Sequence, residues 1–523
     1  MSRFELDSSL WSYEGEGGKH VLFSSPSYPQ RLLRVQRDFL LIANAKTTPT
    51  CPKVAEAVPS SSWKTTSQFI QWIIHPRFPQ YHDIPEWITL SNKDAQLLYD
   101  IAMTSNSIPS NRISSWTMKS VRTRSNEQLW ATLLCNYRYN RCPYSISSSS
   151  SSTYCYSLEL KPKAGYITTS PFVHPRNYQK YQMPRFLLKQ QQQKLNASHT
   201  KSRYNPLDLF SMSEERMEIA MEALLDCPRN NLQIWNDSQC LVYGQNVRTL
   251  SEQTVRHLLH ILILALRQPL SLGNNNEKEY LLLCRIQNWQ RLDILDGEGV
   301  IWIYHHLLQH YHYKYSGSES LITVENSKEN GQMETTIESI IQHHLENITP
   351  RCLRDIQTLP DICDDDVDDD NDIQQHCHLL ETSPLCRPES PTLDRFLSLL
   401  DDYSRQVDGA SIHLHHTTSM EEYENLCQSL IAPLKTDDCI YLLRNWLLSL
   451  TMCDISIMVR ITNAPQKDFI KLQVPTDTRF MDCCQTDDTW WYSIKLIDCD
   501  NKPAQKIATR HTKEISYTGR KGS

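Results

Sequence analysis

No apolar run in this 523-residue chain is both long enough and clean enough to cross a membrane. The stretch 258–266 (LLHILILAL) is too short, and 439–459 is broken by Arg444, Asn445 and Asp454. The opening residues, MSRFELDSSLWSYEGEGG, lack the apolar centre of a secretory signal. Paired cysteine spacing is also missing: the 17 cysteines are odd in number and scattered, so free thiols are expected rather than a disulfide framework. No internal repeat is present. Glycine is scarce, at 13 residues against 26 prolines, which points to many loops and insertions. Together these absences predict a soluble intracellular chain of nuclear or cytoplasmic residence, neither in a membrane nor bound to nucleic acid, and a monomer. Its length exceeds what one hydrophobic core usually serves, so more than one lobe is expected.

What is present is concentrated. The formal charge of −7 comes from one run, DICDDDVDDDND (361–372), which holds eight aspartates and no lysine or arginine; without it the remainder carries +1. A local basic pocket is therefore compatible with overall acidity. Such a run cannot pack into a core and is expected to be solvated.

Along the chain, 10–42 reads as strand, turn, strand. Helical spacing follows at 68–74 and 94–103, then an apolar run (127–135) leads out of this first unit. A serine loop (145–153) and a polar, acidic insertion (about 316–392) interrupt the rest. Helices are expected over 205–225 after a capping Ser211 or Ser213, over 254–266, and over 279–308 around one Gly-containing break. Further helices are expected near 393–403 and 420–433. A long apolar helix (438–451) meets a strand (455–461), and a last strand (490–498) leads into a basic tail.

Several short stretches carry possible chemistry. EGEGGKH (14–20) lies between two strand-like runs, where glycines let backbone N–H groups approach an anion; an ordinary hairpin is the plainer reading. Arg34, in the next strand, could offer a phosphate cation. In YSLELKPK (156–163), period-2 geometry would send Glu159, Lys161 and Lys163 to one face, as a solvated edge or as a wall for an anionic ligand. The Asn230–Asn231 pair suits phosphate or hydroxyl contacts but is also plain turn chemistry. Asp454 stands between an apolar helix and an apolar strand, where a near-buried carboxylate must be bonded or working. Asp498 ends the last strand, as a Mg2+ ligand over a triphosphate would. A covering loop, a phosphate cation, a hydroxyl-orienting acid and a metal acid, in that order, are what phosphoryl transfer from ATP requires.

Taken with YNPLDLFS, CPRNNLQIW and LDILDGEG, the set GEGG, ELKPKAGY, TMCDISIM and LIDCDNKP resembles the inositol-pentakisphosphate 2-kinase family from residue 11 to about 506. The resemblance implies an α+β, two-lobed inositol phosphate kinase fold distantly like protein kinases. Its β-rich N-lobe would span 1–140 and its enlarged mixed C-lobe 154–523. It also implies transfer of the ATP γ-phosphate to the 2-hydroxyl of inositol 1,3,4,5,6-pentakisphosphate, giving the hexakisphosphate, with ATP and Mg2+ required. Carried over, Gly15, Glu16, Gly17, Gly18 and Arg34 would handle the nucleotide, with Glu159, Lys161 and Asn230. Lys163, Arg185, Asn231, Lys502 and Lys506 would hold the acceptor. Asp454 would be the base and Asp498 the Mg2+ ligand.

The chain departs from the family pattern in places. Lys189 stands where the family has His, Cys453 where it has Lys, Gln233 where it has Arg, and His20 where it has Asn; Arg510 replaces a tyrosine. The acceptor lysine after Lys189 would fall at Gln193 or Lys194. Some relatives hold a structural zinc, but the spacings of Cys352, Cys363, His376, Cys377, His378 and Cys386 match no strong pattern. Tyr137 replaces the histidine expected from the first lobe, so zinc is the lesser reading. Two rivals stay open: a related kinase acting on another inositol phosphate, and a non-catalytic inositol phosphate-binding scaffold.

Overall fold

The structure, a computed structural model, describes residues 11–16, 20–36, 62–78, 81–105, 129–137, 154–192, 201–236, 239–244, 246–247, 251–267, 269–270, 280–316, 341, 345, 387–409, 419–463, 479–482, 489–500 and 502–507. Gly17, Gly18, the serine loop, the acidic run, the six Cys and His zinc candidates, Gln193, Lys194 and Arg510 lie outside the described residues. The chain divides into two compact units. Unit 1 is Met1–Ser157 with Trp235–Cys240 and Arg460–Lys495; unit 2 is Leu158–Ile234 with Leu241–Val459 and Leu496–Ser523.

Unit 1 is built on a five-stranded antiparallel sheet of β1 (Ser12–Glu16), β2 (His20–Ser24), β3 (Arg31–Gln36), β4 (Glu86–Leu90) and β5 (Leu129–Cys135), in the order β1-β2-β3-β5-β4. Val21, Phe23, Leu33, Val35, Ile88, Ala131 and Leu133 form its buried face. Helix α1 (Ser62–Phe69) passes through a π turn (Ile70–Ile74) into the short α2 (His75–Arg77). Ala95, Leu98 and Ala102 of α3 (Asn92–Thr104) complete the core over the sheet. Ser91 starts α3 with a reciprocal capping box to Asp94. The apolar run expected to lead out of this unit is β5, and it sits between β3 and β4. Strand β4 (EWITL) carries too little alternation to stand out in the sequence.

A second sheet has seven strands: β6 (Tyr154–Leu160), β7 (Arg229–Asn236), β8 (Gln239–Gly244), β9 (Asn246–Val247), β12 (Ser456–Asn463), β13 (Arg479–Asp482) and β14 (Thr489–Ile497). Their order is β13-β14-β12-β6-β7-β8-β9, and several of them run from one unit into the other. The remaining strands, β10 (Pro269–Leu270) and β11 (Tyr280–Leu281), pair with each other.

The helices of unit 2 are α4 (Arg185–Gln192), α5 (Pro206–Leu209), α6 (Glu214–Asp226), α7 (Glu252–Arg267), α8 (Leu282–Gln290), α9 (Asp296–Ser316), α10 (Pro391–Gly409), α11 (Met420–Ile431) and α12 (Thr436–Asp454). Ser213 occupies the N-cap position of α6, but its side chain makes no cap bond. The break between α8 and α9 is Arg291–Leu295, so Gly297 and Gly299 fall inside α9 rather than in the break. Helix α12 is apolar nearly all round, the pattern of a helix enclosed by protein, and it packs against α8 and α9. Among the described residues no helix is long and apolar enough to cross a membrane.

Candidate active site

Leu158–Leu160 of β6 lie between β12 and β7, which rules out the solvated-edge reading of ELKPK. The strict alternation also ends early. The strand stops at Leu160, and Lys163 takes a left-handed φ of 63°. Left-handed backbone is costly for a residue with a Cβ and persists only where its surroundings enforce it. Arg229 (φ 47°) and Asp498 (φ 61°) share this conformation.

Buried side chains from distant helices do the enforcing. Gln290, the last residue of α8, is fully buried. Its Oε1 accepts from Gly165 N at 2.8 Å, while its Nε2 donates to Lys163 O at 2.8 Å and to Met452 O at 3.1 Å. One amide thus fastens the Lys-Pro-Lys loop to the end of α12. The Tyr204 hydroxyl donates to Pro162 O at 2.7 Å, and Gln287 Nε2 to Gly165 O at 2.5 Å. An added Cβ at Gly165 would lie 2.1 Å from the Phe210 ring. That ring is carried just past α5, which Asn205 caps through Leu207 N. The NPLDLF stretch therefore works as packing beneath the loop. Gly165→Ala is expected to destabilise unit 2 by about 1–3 kcal/mol through overpacking, read as a lowered denaturant midpoint, and to depress activity with it.

Two acid–lysine pairs face this loop. Lys161 Nζ lies 3.1 Å from Asp498 Oδ2 and 3.6 Å from Glu159 Oε1. Ser456 Oγ bridges the same carboxylates, 3.0 Å from Glu159 Oε1 and 3.3 Å from Asp498 Oδ2, and can donate to one at a time. Burial disfavours the Lys161 ammonium, yet Asp498 and Glu159 outweigh it and raise its pKa. In the second pair, Lys502 Nζ is 2.6 Å from Asp454 Oδ2.

Asp454 is the final residue of α12, and it is not near-buried as the sequence suggested: 55% of its side chain is exposed. The chain turns from helix to strand at Ile455, leaving the carboxylate at the rim. A carboxylate there meets the negative end of the helix dipole. Partial burial also works against its charge, but Lys502, then Lys506 and Lys163, hold its pKa below the usual carboxylate value. Lys163 has a lowered pKa, from burial first, then from Lys161, with Lys189 and Lys502 adding repulsion against the attraction of Asp454.

Asn230 and Asn231 lie at the start of β7 rather than simply forming a turn, although Asn231 N does donate a turn bond to Pro228 O. Asn231 O receives Lys161 N at 2.8 Å. Asn231 is buried, and its Oδ1 has no hydrogen-bond partner among the described residues. Leaving such an acceptor unpaired costs about 1–3 kcal/mol, so a donor from a bound molecule would relieve it.

Arg185 begins α4 and lines a cavity of about 280 Å³ with Arg176, Lys180, Lys189, Asp293 and Cys453. Burial pushes the Cys453 thiol up to about 12, so it is neutral. In unit 1, Gly15 lies at a β-bulge of the β1–β2 hairpin, with nothing within 4 Å of its missing Cβ. Arg34 Nη2 is 2.9 Å from His20 Nδ1 across β2 and β3.

Among the described residues few groups of side chains could ligate a metal. The Tyr137 hydroxyl donates to Asp83, whose carboxylate also pairs with Lys495 at 2.8 Å, so this position is closed by hydrogen bonds. Among the described residues, Glu214, Glu218 and His260 alone bring three candidate ligand atoms within 4.8 Å of one another, and Glu214 is already paired with Arg267.

The chain is similar to several known sequences. An inositol-pentakisphosphate 2-kinase of Arabidopsis thaliana is 25% identical over 332 residues, covering 58% of this chain and 71% of its own. One of Oryza sativa subsp. indica is 23% identical over 336 residues, covering 58% and 70%. A Danio rerio protein of the same name is 38% identical over 85 residues, 16% of this chain and 17% of its own. The pattern that describes inositol-pentakisphosphate 2-kinases matches residues 13–515. On that match, and with the paired acids and lysines held at the end of α12, the chain belongs to the inositol-pentakisphosphate 2-kinase family of phosphotransferases.

Proposed function

We propose that this chain transfers the γ-phosphate of ATP to the 2-hydroxyl of inositol 1,3,4,5,6-pentakisphosphate, giving inositol hexakisphosphate. The observation that carries the reading is the pairing of Asp454 with Lys502 and of Asp498 with Lys161, with Lys163 in the field of Lys161, Asp454 and Lys502. Phosphoryl transfer is largely positioning and charge stabilisation, and these residues supply both.

Asp454 accepts or aligns the acceptor hydroxyl proton. The surrounding lysines keep it ionised at neutral pH, and they neutralise the acceptor's phosphates as they do so. Lys163, Lys502 and Lys506 hold the acceptor with Arg185 and Asn231, while Lys161 and Asn230 face the nucleotide side.

Asp498 offers a half-exposed carboxylate with buried Glu159 beside it, a hard-oxygen set that fits Mg2+ bound through one or two carboxylates and substrate phosphates. When bound there, Mg2+ supplies neutralisation of charge on the transferring phosphates. Lys161, which now balances Asp498, is then freed for phosphate oxygens. Gly15, Glu16, Gly17, Gly18 and Arg34 keep the role that the resemblance gives them, contact with the nucleotide phosphates.

A panel of inositol phosphates presented with Mg·ATP tests the acceptor. The pentakisphosphate lacking only the 2-phosphate is expected to give the highest kcat/KM. A better acceptor among the other isomers would make the chain a sibling kinase; binding without turnover of any would make it a scaffold.

A further inference from the structure

We propose that Glu214 and Glu218 of α6, with His260 of α7, bind one divalent transition-metal ion, Zn2+ by preference, at the surface of unit 2. None of these residues takes part in the phosphoryl transfer proposed above, so the site stands or falls apart from that reaction.

Helices α6 and α7 pack against each other, and charged side chains join them as the rungs of a ladder. Glu214, Glu218 and Glu222 recur every four residues, which places them on one face of α6. Arg256 Nη1 of α7 lies 3.3 Å from Glu222 Oε1, and Arg267, the last residue of α7, pairs with Glu214. Residue numbers fall along one helix as they rise along the other, so the two run antiparallel. Glu218 and His260 form the rung between. The outer rungs are closed by arginine, whereas the middle one presents an imidazole. Among the described residues neither Glu218 nor His260 makes a hydrogen bond or an ion pair.

A third arginine would complete a row of surface ion pairs, each worth little. Histidine offers what arginine lacks, a ring nitrogen with a lone pair. Ligand atoms of Glu214, Glu218 and His260 lie within 4.8 Å of one another. Zinc bonds to carboxylate oxygen and imidazole nitrogen are about 2.0–2.2 Å long, and a small turn of the exposed Glu218 side chain brings the three atoms to that reach. Glu214 meets Arg267 through Oε2, which leaves Oε1 as a ligand. Two carboxylates and one imidazole leave a fourth position for water, the open form of a zinc site. The nitrogen donor favours Zn2+ over Mg2+, which prefers oxygen and keeps its waters. That preference separates this site from the carboxylate of Asp498. The plainer role of the middle rung is a direct Glu218–His260 ion pair, and the test separates the two.

Calorimetric titration of the metal-free full chain with Zn2+ reads the site. His260→Gln and Glu218→Gln are each expected to weaken one Zn2+ binding event by at least about tenfold, since even a hydrogen bond that only supports a metal ligand is worth about 10–100-fold in affinity. Glu218→His keeps a ligand at that position and should retain most of the affinity. Zn2+ should raise the melting temperature of the parent, as a ligand of the folded state does, and should not do so through this site in His260→Gln. The chain also carries 17 cysteines, so Co2+ serves as the spectroscopic probe. The difference between the Co2+ spectra of parent and His260→Gln should hold only the weak visible bands of nitrogen and oxygen ligation. Sulfur charge transfer in that difference, or no difference at all, overturns the site. So does Zn2+ affinity unmoved by both glutamine variants, or Mg2+ binding as tightly as Zn2+ at the same position. A melting temperature lowered by His260→Gln without metal, together with no Zn2+ bound by the parent, would make the middle rung a plain ion pair and overturn the proposal.

Discussion

Asp454→Asn is expected to lower kcat by about 10²–10⁴-fold, the range of a general-base contribution, with ATP affinity essentially retained. The exchange removes the carboxylate that accepts the hydroxyl proton and keeps the shape of the α12 terminus. The pH dependence follows from the lysines around it. Because Lys502, Lys506 and Lys163 hold the Asp454 pKa below the usual value, the carboxylate stays ionised through neutral pH. Activity should be lost only as pH falls through that lowered pKa. Removing a cation raises the pKa, so Lys502→Ala should move the acid limb of the kcat profile to higher pH. A near-normal turnover in Asp454→Asn would take this residue out of the mechanism.

The second large effect is at Asp498. Asp498→Asn should cost about 10²–10³-fold in kcat, comparable to removing one group that stabilises transition-state charge, and should raise the Mg2+ concentration needed for half-maximal rate. It also leaves Lys161 with Glu159 as its remaining carboxylate. Part of the loss should therefore appear in the KM for ATP, as Lys161 shifts toward Glu159. A variant with parental Mg2+ dependence would show that the metal is held elsewhere.

Much of the candidate site is legible in the sequence, for a physical reason. Asp454 and Asp498 sit where an apolar run stops and polar residues begin, and a lone acid at such a junction is visible in one dimension. Lys161, just past the end of the strand, is legible as the residue two on from Glu159. Lys163 is singled out by the same alternation, but its backbone is not legible, because its left-handed φ breaks the alternation and no local residue type announces it. The clamp that enforces it, Gln290, lies more than a hundred residues away and reads as an ordinary helical amide. The exposure of Asp454 was misjudged for a related reason: apolar neighbours on both sides suggested burial, but the helix ends on that residue and turns it outward. NPLDLF reads in the sequence only as a loop entering a helix, whereas the structure uses its phenylalanine to support the loop at Gly165. In the fold, β4 went unseen and β5 was taken for an exit, because their place depends on pairing across the sheet rather than on their own pattern.

The central claim is the identity of the transferred group's destination. The direct measurement is ¹H–³¹P correlation NMR of the product formed by the purified full chain from Mg·ATP and inositol 1,3,4,5,6-pentakisphosphate. A single new phosphate coupled to the proton on C2, with one ADP released per phosphate gained, is the predicted result. Nucleotide consumption without a C2 phosphate, or a pyrophosphate built on an existing phosphate, would contradict it.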